Sequence, residues 1–115
     1  MNNEIIIFEN QNVKLEVNMK DETVWLSLDQ MAKLFDRDKS VISRHIKNAL
    51  EEELKKDSTV ANFATVAKEG NREVNRNIEY YNLDMIISVG YRVKSKNGVI
   101  FRRWANKILK DYLIK

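Results

Sequence analysis

A chain of 115 residues, 43% hydrophobic and 32% charged, is long enough for one packed core, too short for two, and too apolar for a disordered chain. The absence of cysteine excludes disulfides, thiolate metal sites and a cysteine nucleophile. The net charge of +3 is modest, but residues 1–57 carry nine Lys/Arg against twelve Asp/Glu, and residues 58–115 carry eleven against five. An acidic first half and a basic second half predict one face turned toward a polyanion.

No apolar run approaches the ~20 residues of a membrane span, and residues 5–8 are too short an apolar stretch, too close to Glu4, for a secretion signal. A cytoplasmic protein is expected. Residues 5–8 form a short apolar run. Val13, Leu15 and Val17 then alternate with Lys14, Glu16 and Asn18, and Lys20-Asp21-Glu22 makes a turn into residues 23–26. This alternation predicts an N-terminal β-hairpin, with Trp25 as a core anchor against the helix that follows.

Residues 26–50 read as two short helices around a tight polar turn. Ser27 is a good N-cap, and Met31, Ala32, Leu34 and Phe35 give the first helix its apolar stripe. Asp36-Arg37-Asp38 interrupts that stripe, and Asp38 can cap a second helix. There Ile42, His45, Ile46 and Ala49 share one face, while Lys39, Ser40, Ser43, Arg44 and Lys47 lie on the outer side. Ala32 is small enough for two steeply crossing helices, and Asp36 tolerates the left-handed region that such turns use. A helix carrying hydroxyls and cations, with no acid from residue 39 to residue 50, suits a DNA major groove. An ordinary helical hairpin with a solvated face fits the same pattern. Glu51, Glu52 and Glu53 either mark where the helix leaves a nucleic acid or form a plain solvated face, and Leu54 is expected to return to the core.

Residues 59–81 predict a second hairpin around Gly70-Asn71, placed after the helices as a wing would be. Lys68, Arg72 and Arg76 would meet backbone phosphates there; a plain hairpin with a soluble tip is the alternative. Residues 83–115 predict C-terminal helices. Asn82 or Asp84 caps the first, and Gly90 either ends it or lets another backbone come close. A basic loop then reaches Gly98, and a final helix from about Val99 carries Ile100, Phe101, Trp104, Ala105, Ile108, Leu109 and Tyr112 on one apolar face. Arg102, Arg103, Asn106, Lys107 and Lys110 take the other face. With no stop signal in that helix, the chain is expected to be the N-terminal part of a longer protein.

No catalytic constellation is visible. His45 is the single histidine and reads as a packed structural residue. Gly70, Gly90 and Gly98 make no phosphate-binding loop, and the three consecutive glutamates do not read as a metal cage. No enzyme activity, metal or cofactor is expected.

With these residues laid out, the chain resembles the RhuM family of bacterial virulence-associated proteins over about residues 13–113. The likeness rests on Thr23-Val24-Trp25-Leu26, on Gln30-Met31-Ala32-Lys33-Leu34-Phe35, on the block from Tyr81 through Tyr91-Arg92-Val93, and on Phe101-Arg102-Arg103-Trp104-Ala105. The last is similar to the Phe-Arg-x-Trp element of phage antirepressor N-terminal domains. The resemblance implies a longer protein, related N-terminal domains being fused to Fic-type domains, and carries over no catalytic residue. Against the generic helix-turn-helix pattern, Asp36 stands where glycine is common and Arg37 where an apolar residue is common, which predicts a wider turn.

The expectation is therefore a single α+β domain over residues 1–115, winged helix-turn-helix-like, with an N-terminal β-hairpin, a central hairpin wing and C-terminal helices. Its expected function is sequence-specific double-stranded DNA binding of a transcription-regulator type through Lys39, Ser40, Ser43, Arg44 and Lys47, aided by Lys68, Arg72 and Arg76. A homodimer would read two half-sites. The alternative is an antirepressor-like protein-interaction module acting on a repressor or a fused toxin domain.

Overall fold

Alternating apolar and polar residues at the start of the chain build three strands rather than one hairpin. In the computed structural model, which describes residues 4–114 (the backbone alone for 65–69, 113 and 114), these are β1 Glu4–Asn10, β2 Val13–Lys20 and β3 Thr23–Ser27. The run at residues 5–8 is thus a strand in its own right, paired along its whole length with β2. Asp21 and Glu22, both with positive φ, turn β2 tightly into β3. Helices α1 Leu28–Phe35, α2 Lys39–Glu52 and the single turn α3 Lys56–Thr59 follow. A long hairpin, β4 Val60–Glu69 and β5 Arg72–Asn82, then leads into α4 Leu83–Val93 and α5 Lys96–Ile114.

The five strands form one antiparallel sheet in the order β1-β2-β3-β5-β4. β5 returns to pair with β3 through Trp25↔Asn82, Leu26↔Tyr81 and Ser27↔Tyr80, so α1 and α4 leave neighbouring strands at nearly the same level. Val17, Met19, Val24 and Leu26 face the helices and join Met31, Leu34, Phe35, Ile42, Ile86, Val89 and Phe101 in the core. By the two-residue period of a strand, Trp25 points to the other face. It is buried there, against Phe63 at 5.7 Å between ring centroids, with its indole N–H donating to the Lys20 carbonyl. Trp25 therefore anchors β3 to the second hairpin rather than to α1.

Gly90 does not end α4. The helix runs three residues further and stops at Lys94, which takes the left-handed conformation (φ 55°). The stretch expected as a basic loop is the last turn of α4 and the first turn of α5, whose Asn97 N–H is accepted by the Ser95 hydroxyl. Gly90 instead permits close approach. A Cβ at Gly90 would lie 3.1 Å from the Phe35 ring and 3.4 Å from the Gly98 Cα. On α5, Phe101 and Ala105 are buried and Trp104 half-buried, while Ile100 falls outside the buried stripe.

Gly90→Ala should destabilise the domain by about 1–2 kcal/mol. The ~1 kcal/mol gained in helix propensity is outweighed by overpacking of the new methyl, 3.1–3.2 Å from the buried Phe35 ring. Gly98→Ala, whose Cβ would meet nothing closer than 3.4 Å, should be neutral or slightly stabilising. Urea unfolding midpoints of the two variants check the contrast.

Candidate nucleic-acid interface

The helix pair is built as its residues require. Ser27 and Gln30 form a reciprocal capping box at the start of α1, and the Asp38 carboxylate accepts the Ser40 N–H at the start of α2. Ser40 also donates its hydroxyl to Asp38, and these two hydrogen bonds hold the carboxyl below the usual aspartate range. Between the helices stand three residues only, Asp36, Arg37 and Asp38. The turn is not wide. Asp36 takes the left-handed conformation (φ 53°, ψ 53°), doing what glycine commonly does, and its N–H donates to the Ala32 carbonyl.

Arg37 replaces the usual apolar contact with hydrogen bonds. Its guanidinium donates to the carbonyls of Phe35, Asp36 and, at 3.1 Å, Val93 at the end of α4. Asn97 at the start of α5 donates to the Leu34 carbonyl at 2.8 Å. The turn is thus tied to the junction of the two C-terminal helices.

The far end of α2 is also tied to α4. Arg92 reaches Glu52 and Glu53, each at 3.0 Å, and Ser88 donates to Glu53. The Ser88 hydroxyl first, then Arg92, holds the Glu53 carboxyl below its ordinary range, and Glu53 first, then Glu52, raises the Arg92 guanidinium above its own. Two of the three consecutive glutamates therefore form a brace between helices, a role neither reading of the sequence anticipated. The pairing partner lies 40 residues away in the chain and leaves no local signal.

Between these two ties, Ile42, Ile46 and Ala49 are buried, and Lys39, Ser40, Ser43, Arg44 and Lys47 are all exposed. At 100° per residue those five span one continuous arc of the helix. Lys39 pairs with Asp29 at 3.1 Å, an exposed contact that a phosphate could replace. Glu51 is exposed one turn beyond Lys47 and bounds the cationic face. His45 is half-buried on the inward side of α2, next to Ala49, and burial first, then Arg44 and Arg92, lowers its pKa from the ordinary 6.5.

The second hairpin is separate from this face. β5 pairs with β3 only at residues 80–82, so the pairs from Asn62↔Glu79 to Glu69↔Arg72 extend past the sheet by roughly 25 Å. Arg72 and Arg76 are exposed and share a strand face with Ile78 and Tyr80, the face opposite Tyr81, which packs on the core. The side chain of Lys68 lies outside the described residues. Six described cations of the second half fall in three different places. Arg72 and Arg76 lie on the hairpin, Arg92 is engaged by glutamates, and Lys94, Lys96 and Arg102 line a groove between α4 and α5. Among the described residues no cluster of three or more metal-ligating side chains occurs, and no helix is long and apolar enough to cross a membrane.

An α+β domain with a five-stranded antiparallel sheet, presenting a braced helix with a cationic outer face, is what sequence and structure together define. The family model of the virulence protein RhuM family matches residues 58–115, just over half of the chain. The chain belongs to that family. The matched stretch takes in the second hairpin, α4 and α5 and stops short of α1 and α2. No curated protein and no solved structure matches the chain.

The depressed His45 pKa links stability to pH. Between the folded value and the unfolded 6.5 the unfolded chain binds more protons, so stability should fall as pH drops through that window and be restored above it. Urea midpoints from about pH 7.5 to about pH 5 should show this slope in the parent chain and lose it in His45→Gln. The Asp38 and Glu53 contributions disappear only in the more acidic carboxylate range.

Proposed function

We propose that this domain binds double-stranded DNA sequence-specifically, as a winged helix-turn-helix-like module of a transcription regulator. The observation that carries the reading is α2. Its inward face is buried, both its ends are fixed to α4, and its outward face offers Lys39, Ser40, Ser43, Arg44 and Lys47. A helix so held costs little ordering on docking, and the B-DNA major groove accepts one helix of this width. Arg44 is the candidate for a bidentate contact to guanine. Lys39 and Lys47 are candidates for phosphate, and Arg72 and Arg76 on the projecting hairpin are candidates for wing contacts to the backbone.

A second reading is an antirepressor-like protein-interaction module. The Phe-Arg-Arg-Trp element that suggested it gives little support, because Phe101 and Trp104 pack edge-on against Phe8 at 5.1 and 5.2 Å. Those aromatics hold α5 to β1. Support for partner binding lies instead in the groove between α4 and α5 that Tyr91 and Val99 line.

Arg44→Ala should reduce discrimination at one base pair by about 1–3 kcal/mol, whereas Lys47→Ala should weaken all duplexes evenly. Titrations of duplex at several salt concentrations separate the two contact sets. Phosphate contacts by Lys39 and Lys47 predict a slope of log K against log salt of about −1.8, and engagement of Arg72 and Arg76 moves it toward about −3.6. An affinity that ignores salt, or no binding at low salt, rejects the reading.

A further inference from the structure

On the side of α4 away from α2, the first turn of α5 borders a groove of about 420 Å³. Ile87, Gly90, Gly98 and Val99 line it, and the two glycines that let the helices meet leave its floor without side chains. Tyr91 stands over it 85% exposed, and Val99 is 43% exposed. A tyrosine that far out of a folded chain, beside a second exposed apolar residue and an apolar floor, contributes nothing to the core and marks a contact surface.

The rim has one sign. Lys94, Lys96 and Arg102 line the groove, no acid does, and none of the three has an ion-pair partner among the described residues. The groove also lies at the N-terminal end of the 19-residue α5, where the helix dipole adds positive potential. Beyond the ridge of Ile87 and Tyr91 lies a different depression, bounded by Asp84, Glu53 and Arg92, so the basic character stops at that ridge.

We propose that the α4–α5 groove docks an acidic amphipathic helix of a partner protein. One apolar side chain of the partner enters the groove beside Tyr91 and Val99, and carboxylates flanking it meet Lys94, Lys96 and Arg102. A nucleic acid fits less well, since surfaces that hold a phosphate backbone are polar throughout and this one is mainly apolar within its basic rim. The inference rests on the groove alone and is independent of the DNA reading of α2. It follows the helix-in-groove mode of recognition, in which one or two anchors carry most of the affinity.

Panning a display library of random helical peptides against the whole chain, with the Tyr91→Ser protein as counter-target, tests the proposal. Tyr91 is exposed, so that variant keeps the fold, which a thermal melt verifies. The expected result is enrichment of peptides with acids around an aromatic or large aliphatic anchor. Their affinity should fall by about tenfold or more for Tyr91→Ser and for Lys96→Glu, and their binding should shift the amide resonances of Lys94 and Val99. Enriched peptides without acids, peptides indifferent to Tyr91→Ser, or no enrichment above the counter-target would overturn it. So would a loss of duplex DNA affinity in Lys96→Glu without peptide enrichment, which assigns the groove to nucleic acid.

Discussion

The position of the helix pair depends on one contact, the Phe35 ring seated where α4 and α5 cross at Gly90 and Gly98. Phe35 is the last residue of α1 and almost fully buried, and a Cβ at Gly90 would press on its ring at 3.1–3.2 Å. Two polar ties converge on the same junction, Arg37 to the Val93 carbonyl and Asn97 to the Leu34 carbonyl. Each satisfies a backbone oxygen that a helix end leaves without an intrahelical partner. Apolar packing sets how closely α1 approaches the C-terminal helices, and the hydrogen bonds set its rotation. A glycine inside a helix costs about 1 kcal/mol relative to alanine, and at Gly90 the cost is offset by leaving room for the Phe35 ring.

Given that junction, α2 has little freedom. Its first turn follows directly from the Asp36 turn, and its last turn is held by Arg92 against Glu52 and Glu53. Exposed ion pairs contribute little stability singly, but two carboxylates sharing one guanidinium, with Ser88 bonded to the same oxygen, form a small network with defined geometry. The consequence is orientation more than stability. A helix clamped at both ends by one neighbour presents its outer face at a fixed angle.

How much of this could be read in advance follows from how local each signal is. The caps at Ser27, Asp38 and Asn82, the left-handed Asp36 and the turn at Gly70 were legible, because each concerns a residue and its next few neighbours. So was the exposed arc of α2, which follows from helical period and side-chain type. The end of α4 was not legible. Glycine ordinarily signals a helix end, yet here tertiary packing kept Gly90 inside and Lys94 took the left-handed position without a sequence signal. The side taken by Trp25 is not legible, because Val24-Trp25-Leu26 is an unbroken apolar triplet that gives no alternation to set its direction. The brace at Glu52 and Glu53 and the α4–α5 groove depend on residues that only the fold brings together.

The two candidate surfaces meet on α4, and the residues that serve them are adjacent. Arg92 reaches back to α2 while its neighbour Tyr91 stands out over the groove. Adjacency alone does not couple them, since coupling needs an element with two arrangements that both ligands bias. Here α4 meets α5 through the Gly90–Gly98 approach and α2 through Arg92, and its end accepts a hydrogen bond from Arg37. Were both proposed ligands to bind, this packing would suit a scaffold that holds them at a set distance and angle better than a switch in which one displaces the other.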